Sequence, residues 1–90
     1  MRIISCEWDG WNVSHIGEHG VEFFEVEEIF ENRPFLSKTK DGKHIALGQT
    51  RSGHYLTVIF AYRGRRRAYP TTARDSTLKE RNYAQNQKKK

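Results

Sequence analysis

Ninety residues with 36% hydrophobic and 12% aromatic side chains suffice for a packed core, although a chain this short buries only about two-thirds of its unfolded surface. The single Cys6 excludes an internal disulfide, and the longest apolar run, residues 55–62, is far too short to cross a bilayer. The first ten residues, MRIISCEWDG, turn acidic too soon for a signal peptide, so the default expectation is a soluble protein of the reducing cytoplasm with no membrane partner.

Residues 1–6 hold the β-branched pair Ile3-Ile4 and read as a first strand. Trp8-Asp9-Gly10 breaks that pattern. Residues 11–19 then read as a short helix with Trp11, Asn12, His15, Ile16 and His19 along one side, and Gly20 stands where a helix C-terminal glycine belongs. Residues 21–31 read as a second helix, with Phe23, Val26, Ile29 and Phe30 on its core face and Glu25, Glu28 and Glu31 opposite. Asn32-Arg33-Pro34 ends it, because proline disfavours helix in the residue before it.

The period then changes from helical to strand-like. Residues 45–50 and 54–62 read as strands joined by Arg51-Ser52-Gly53, a three-residue hairpin loop. Both faces of 54–62 are largely apolar, which places it centrally in a sheet. Arg63-Gly64 offers a tight turn into a strand over 65–72, where Pro70 removes a ladder donor and implies an edge or a bulge. Thr77 and Glu80 match a capping box that starts a C-terminal helix to about Gln87. The expected organisation is one α+β domain over 1–87: an N-terminal strand, two short helices, an antiparallel sheet of three to four strands and a C-terminal helix. A basic, disordered tail is expected at 88–90.

Charge is divided along the chain. Residues 7–31 carry eight acidic side chains and no Lys or Arg, whereas residues 63–90 carry ten Lys or Arg against Asp75 and Glu80. One basic and one acidic surface follow, and a basic surface attracts polyanions, RNA and DNA above all. Arg65, Arg67 and Tyr69 share one face of the 65–72 strand by its period of two, and Arg74 follows just before the last helix. The planar arginine fork holds phosphate with two parallel hydrogen bonds, and the helix N-terminus adds amide donors. Such a constellation could bind RNA and stabilise charge developing on phosphorus. Candidate proton carriers are Tyr83, Glu80, His15, His19 and His54, and Trp8 could stack on an unpaired base. Each has a structural alternative: Glu80 can complete the cap, Tyr83 can pack the helix, and Trp8 can lie in the core.

His15-Ile16-Gly17-Glu18-His19 spells H-x-x-E-H, the pattern of one zinc peptidase class. That chemistry needs a third protein ligand and a long helix. Gly17 and Gly20 interrupt this one, so no metal and no other cofactor is expected.

Taken in order, Trp8-Asp9, His15-Ile16-x-x-His19-Gly20-Val21, Glu25-Val26-Glu27-Glu28, Leu47-Gly48-Gln49-Thr50-x-x-Gly53 and Thr72-Ala73-Arg74-Asp75 with Thr77, Glu80, Arg81 and Tyr83 form one set. Across roughly residues 6–84 the set resembles the BrnT-type ribonuclease toxins, in a branch marked by H-I-x-x-H-G-V. The resemblance implies a RelE-like α+β fold, a bacterial cytoplasmic setting and metal-independent RNA cleavage by attack of the 2′-hydroxyl. It also implies a cognate antitoxin of ribbon-helix-helix type and allows a higher-order toxin–antitoxin complex. The catalytic candidates are then Arg74, Arg67, Tyr83 and Glu80, and the RNA-binding candidates Arg65, Arg67, Arg74, Tyr69 and Trp8. Tyr69 stands where many members carry an arginine, and Arg67 shares its strand face. The alternatives are a non-catalytic nucleic-acid-binding module and a module whose basic face is covered by an acidic partner.

Overall fold

Eight elements follow one another in the computed structural model, which describes residues 2–88. They are β1 (Ser5–Cys6), α1 (Gly10–Gly17), α2 (Phe23–Glu31), β2 (Phe35–Lys38), β3 (His44–Gln49), β4 (Tyr55–Tyr62), β5 (Arg67–Asp75) and α3 (Leu78–Lys88). The sheet has five strands in the order β1-β5-β4-β3-β2; β1 runs parallel to β5 and every other pairing is antiparallel. The α+β class is as expected. Four antiparallel strands join the N-terminal strand, the upper end of the expected three to four. The one that the residue pattern does not show is β2, which follows Pro34 as a four-residue edge strand too short to show alternation.

Directly paired residues in an antiparallel sheet share a face. Leu56, Val58 and Phe60 of β4 therefore lie on one side with Gly48 and Ala46 of β3 and Ala73, Pro70 and Ala68 of β5. Val26, Ile29 and Phe30 of α2 and Ile16 of α1 close over this side to form the core. Phe30 sets its edge against Phe60, with ring centroids 5.2 Å apart. Gly48 permits that closure: a Cβ there would lie 2.9 Å from Ile29 Cγ2. The other face belongs to α3. Its Glu80 accepts a hydrogen bond from Thr57, and its Tyr83 packs edge-on against Phe35 at 5.1 Å.

Both early helices differ in detail from expectation. Asp9 caps α1 by accepting from the Asn12 amide at 3.0 Å, while Asn12 Oδ1 accepts from the Asp9 amide at 2.8 Å. Only Asn12 and Ile16 of α1 are buried, and Trp11 stays exposed. Asn12 donates to the carbonyls of Glu7 and Pro70, tying α1 to β5. In α2 a capping box between Glu22 and Glu25 delays the start to Phe23, so Val21 is buried ahead of the helix. Phe23, expected in the core, is instead largely exposed and touches Trp8 edge-on.

Pro70 marks a bulge. Phe60 pairs with Pro70 and Ile59 with Thr72, so Thr71 is an extra residue on β5. That insertion carries the strand on to Asp75, three residues past the expected end, and reverses its side-chain alternation. Arg74 is consequently a strand residue on the same face as Arg67 and Tyr69. The C-terminal helix begins as expected, with the Glu80 amide donating to Thr77 Oγ1 and the Thr77 amide to Glu80 Oε1. Of the expected tail, Lys88 closes α3, and Lys89 and Lys90 lie outside the described residues.

Candidate nucleic-acid interface

One straight cross-strand row runs under α3: Arg74 on β5, Thr57 on β4, Leu47 on β3 and Phe35 on β2. Along β5 beyond this row the same face is open, with Ala61 exposed and Ile59, Thr72 and Tyr69 half-buried. Cationic side chains stand at both ends of the open surface.

At the α3 end, Arg74 Nη1 donates to Glu80 Oε1 at 2.8 Å and to the Asp75 carbonyl at 3.2 Å, while Nη2 donates to Glu80 Oε2 at 2.9 Å. Glu80 Oε1 also accepts from the Thr77 amide and from Thr57 Oγ1, which in turn bonds Ser76 Oγ at 2.8 Å. The arginine and the helix-capping amide hold the Glu80 carboxyl at a pKa of about 2, well below the usual carboxylate range. Glu80 raises the Arg74 pKa in return. The guanidinium has five N–H donors, and Glu80 and Asp75 engage three of them at its end. Nε–H and the second Nη2–H form a parallel pair along its side, and among the described residues they meet no acceptor. The Arg74 side chain is 40% exposed.

At the β4–β5 turn, Arg67 Nη1 and Arg63 Nε lie 3.1 and 3.3 Å from the Glu7 carboxylate. Arg63 stacks over the Tyr69 ring at 4.6 Å, and the Tyr69 hydroxyl donates to Asp9 Oδ2 at 2.8 Å. The Asn12 amide, then Tyr69, lowers the Asp9 pKa, and the Asp9 hydrogen bond raises that of Tyr69. Arg65 does not share the strand face of Arg67 and Tyr69: it lies in the turn, with φ +53°, ahead of the strand start at Arg67.

The structure thus gathers Arg67 with Tyr69, and Arg74 with Glu80, at two ends of one face. Tyr83 does not join Arg74. It packs on Phe35, which lies three strands from Arg74 along the row. Trp8 belongs to the opposite side of the sheet, where its Nε1 donates to Glu27 of α2 at 3.0 Å. His15 stacks on Trp11 at 4.9 Å and meets His19 edge-on at 6.1 Å, and among the described residues no group of three or more metal-ligating side chains forms. His54 bridges Asp75 at 2.5 Å and Glu25 at 3.4 Å, away from Arg74's carboxylate partner.

Sequence reasoning misses Glu7 and Asp9 as residues of the basic face, and it misses Arg66 and Thr57. Place in the chain assigns the acidic pair to an acidic surface. Only the parallel pairing of β1 with β5 carries it across. The Asp9 and Asn12 pair, spaced three apart ahead of an apolar position, is the one available signal.

Among known families, the model described as ribonuclease toxin, BrnT, of type II toxin–antitoxin system aligns with residues 8–80. No curated protein and no solved structure matches the chain.

Proposed function

The chain belongs to the BrnT family of ribonuclease toxins of type II toxin–antitoxin systems, and from that membership we propose a metal-independent endoribonuclease that acts in the cytoplasm. The 2′-oxygen of the RNA attacks the adjacent phosphorus and the bond to the 5′-oxygen breaks. The 2′-hydroxyl proton is lost as the leaving oxygen gains one. The protein need only align the ribose and phosphate, stabilise the extra negative charge on phosphorus and move protons.

The observation that supports this reading is the pair of unengaged donors on Arg74. Glu80 grips the end of the guanidinium and keeps its side, Nε–H and Nη2–H, available to two phosphate oxygens at once. Glu80 is then a positioning residue: a carboxylate held near pKa 2 is a poor base at neutral pH. Arg67, Tyr69 and Arg65 extend the RNA contact along β5 and its turn. Tyr83, packed on Phe35, and Trp8, bonded to Glu27, support the fold. The partners on this reading are RNA and a cognate antitoxin, of ribbon-helix-helix type, that covers the toxin in a higher-order complex.

The test is incubation of purified protein with RNA in EDTA beside an Arg74→Ala variant. Cleavage by the parent and none by folded Arg74→Ala is expected. Cleavage that appears only when a divalent cation is restored overturns metal independence. An active Arg74→Ala protein removes Arg74 from the chemistry.

A further inference from the structure

Four of the five residues 63–67 are arginines, and the structure sorts them into two kinds. Arg63 and Arg67 straddle Glu7. Arg65 and Arg66 are exposed and, among the described residues, enter no ion pair.

The same two residues are strained. Arg65 has φ +53° and Arg66 φ +60°, in the left-handed region that few residues other than glycine adopt. A hairpin turn with positive φ at both central positions ordinarily selects Asn-Gly. Here two arginines occupy those positions, and four hydrogen bonds hold them there. The Arg67 amide donates to the Gly64 carbonyl at 3.0 Å and the Arg63 amide to the Arg67 carbonyl at 2.9 Å. The Arg66 amide donates to the Tyr62 hydroxyl at 3.0 Å, and its carbonyl accepts from the Ile4 amide at 2.8 Å. Backbone strain persists only where its surroundings over-determine it, and it concentrates at functional sites.

We propose that the Gly64–Arg67 turn is a phosphate-gripping tip, with Arg65 and Arg66 contacting neighbouring phosphates of a single RNA strand. The inference rests on the RNA-cleaving reading and deepens it. Glu7 offsets part of the charge that Arg63 and Arg67 present to a phosphate, whereas Arg65 and Arg66 have no carboxylate beside them among the described residues. Most of the sequence-independent affinity therefore resides in the two arginines of the turn, and Arg66 is a binding residue on the same footing as Arg65.

The proposal joins binding to strain, so one substitution tests both. Arg65→Asn with Arg66→Gly installs the residues that this backbone prefers. That double variant should melt several degrees above the parent. Its affinity for a short fluorescein-labelled single-stranded RNA should fall, and the log–log salt slope should shallow by about 1.4 units, roughly 0.7 for each phosphate no longer neutralised on a single strand. Arg65→Lys with Arg66→Lys, which keeps both charges, should retain the parent slope. A folded Asn-Gly variant with the parent's slope overturns the tip and leaves RNA binding to Arg67 and Arg74. A parent with no salt-dependent RNA affinity overturns the RNA reading as well. Loss of antitoxin binding with RNA affinity intact assigns the turn to the protein partner and overturns the proposal.

Discussion

Arg74 and Glu80 are joined by two parallel hydrogen bonds, of 2.8 and 2.9 Å, across the junction where β5 gives way to α3. The six-residue separation spans the end of the strand, Ser76 and the capping box. Glu80 thereby serves three partners at once: the helix cap, the buried Thr57 hydroxyl and the guanidinium. Strand, helix and candidate site meet in one carboxylate.

From this pair comes a prediction about Arg74→Lys. A lysine keeps the charge but offers no second fork, so it cannot hold Glu80 and two phosphate oxygens together. Losing one such donor array typically costs about 2.7–4 kcal/mol of barrier, roughly a hundred- to a thousandfold in rate. Arg74→Lys should therefore fall close to Arg74→Ala in RNA cleavage rather than close to the parent. The pair is partly exposed, so both variants should lose no more than about 1 kcal/mol of stability. Single-turnover cleavage rates with parallel thermal melts check both statements, and a lysine variant with parent-like rate would sink the two-fork account.

Acid should loosen the same junction. The Glu80 carboxyl titrates near 2 when folded, below its ordinary value of 4.5. A group with a depressed folded pKa stabilises the protein fully above its unfolded value and loses that contribution as pH falls toward the folded one. Stability should decline between about pH 4.5 and about pH 2, and Glu80→Gln should decline less over that window. Urea midpoints at a series of acidic pH values provide the measurement. Equal declines in parent and variant would place the acid sensitivity elsewhere.

Much of this arrangement is legible in the residue pattern, and the failures have physical causes. The capping box at Thr77 is legible because it is a local bond between residues three apart. Pro70 announces a bulge, but not its consequence: a register slip of one residue puts Arg74 on Tyr69's face, and the slip depends on how β4 pairs with β5. Period-two alternation misplaces Arg65, because it carries no information about a turn with positive φ at two arginines. Phe23 shares the helical period of Val26 and Phe30, yet as the first residue of α2 it stays exposed, with Trp8 and Phe24 as its aromatic neighbours among the described residues. Pairing of Glu7 with Arg63 and Arg67 joins residues about sixty apart, beyond any local signal.

Two phenylalanines of α2 should respond very differently to truncation. Phe30 is 6% exposed and packs on Phe60, so Phe30→Ala should cost about 3–5 kcal/mol. Phe23 is 43% exposed, so Phe23→Ala should cost less than about 1.5 kcal/mol, the edge contact with Trp8 included. Denaturant titration of the two variants decides the matter. Comparable losses would mean that Phe23 is covered in solution, by this chain or another copy of it.

The last prediction concerns His54, which ties the first turn of α2 to the end of β5 through Glu25 and Asp75. Burial alone would lower the His54 pKa, but the hydrogen bonds and charges of Asp75 and Glu25 outweigh it and raise the pKa above its ordinary 6.5. A group raised in this way stabilises the fold fully below its unfolded pKa and loses that contribution as pH rises through the folded one. The parent should therefore be most stable, relative to His54→Asn, at mildly acidic pH above the range where Glu80 titrates. The difference should shrink as the imidazolium deprotonates above 6.5. Asp75→Asn should lower the His54 midpoint, because it removes the closer of the two carboxylates, at 2.5 Å. Following the His54 ring protons by NMR across pH gives that midpoint directly. A midpoint at or below the ordinary value in the parent, or one unmoved by Asp75→Asn, would show that the bridge does not hold the charged imidazole in solution.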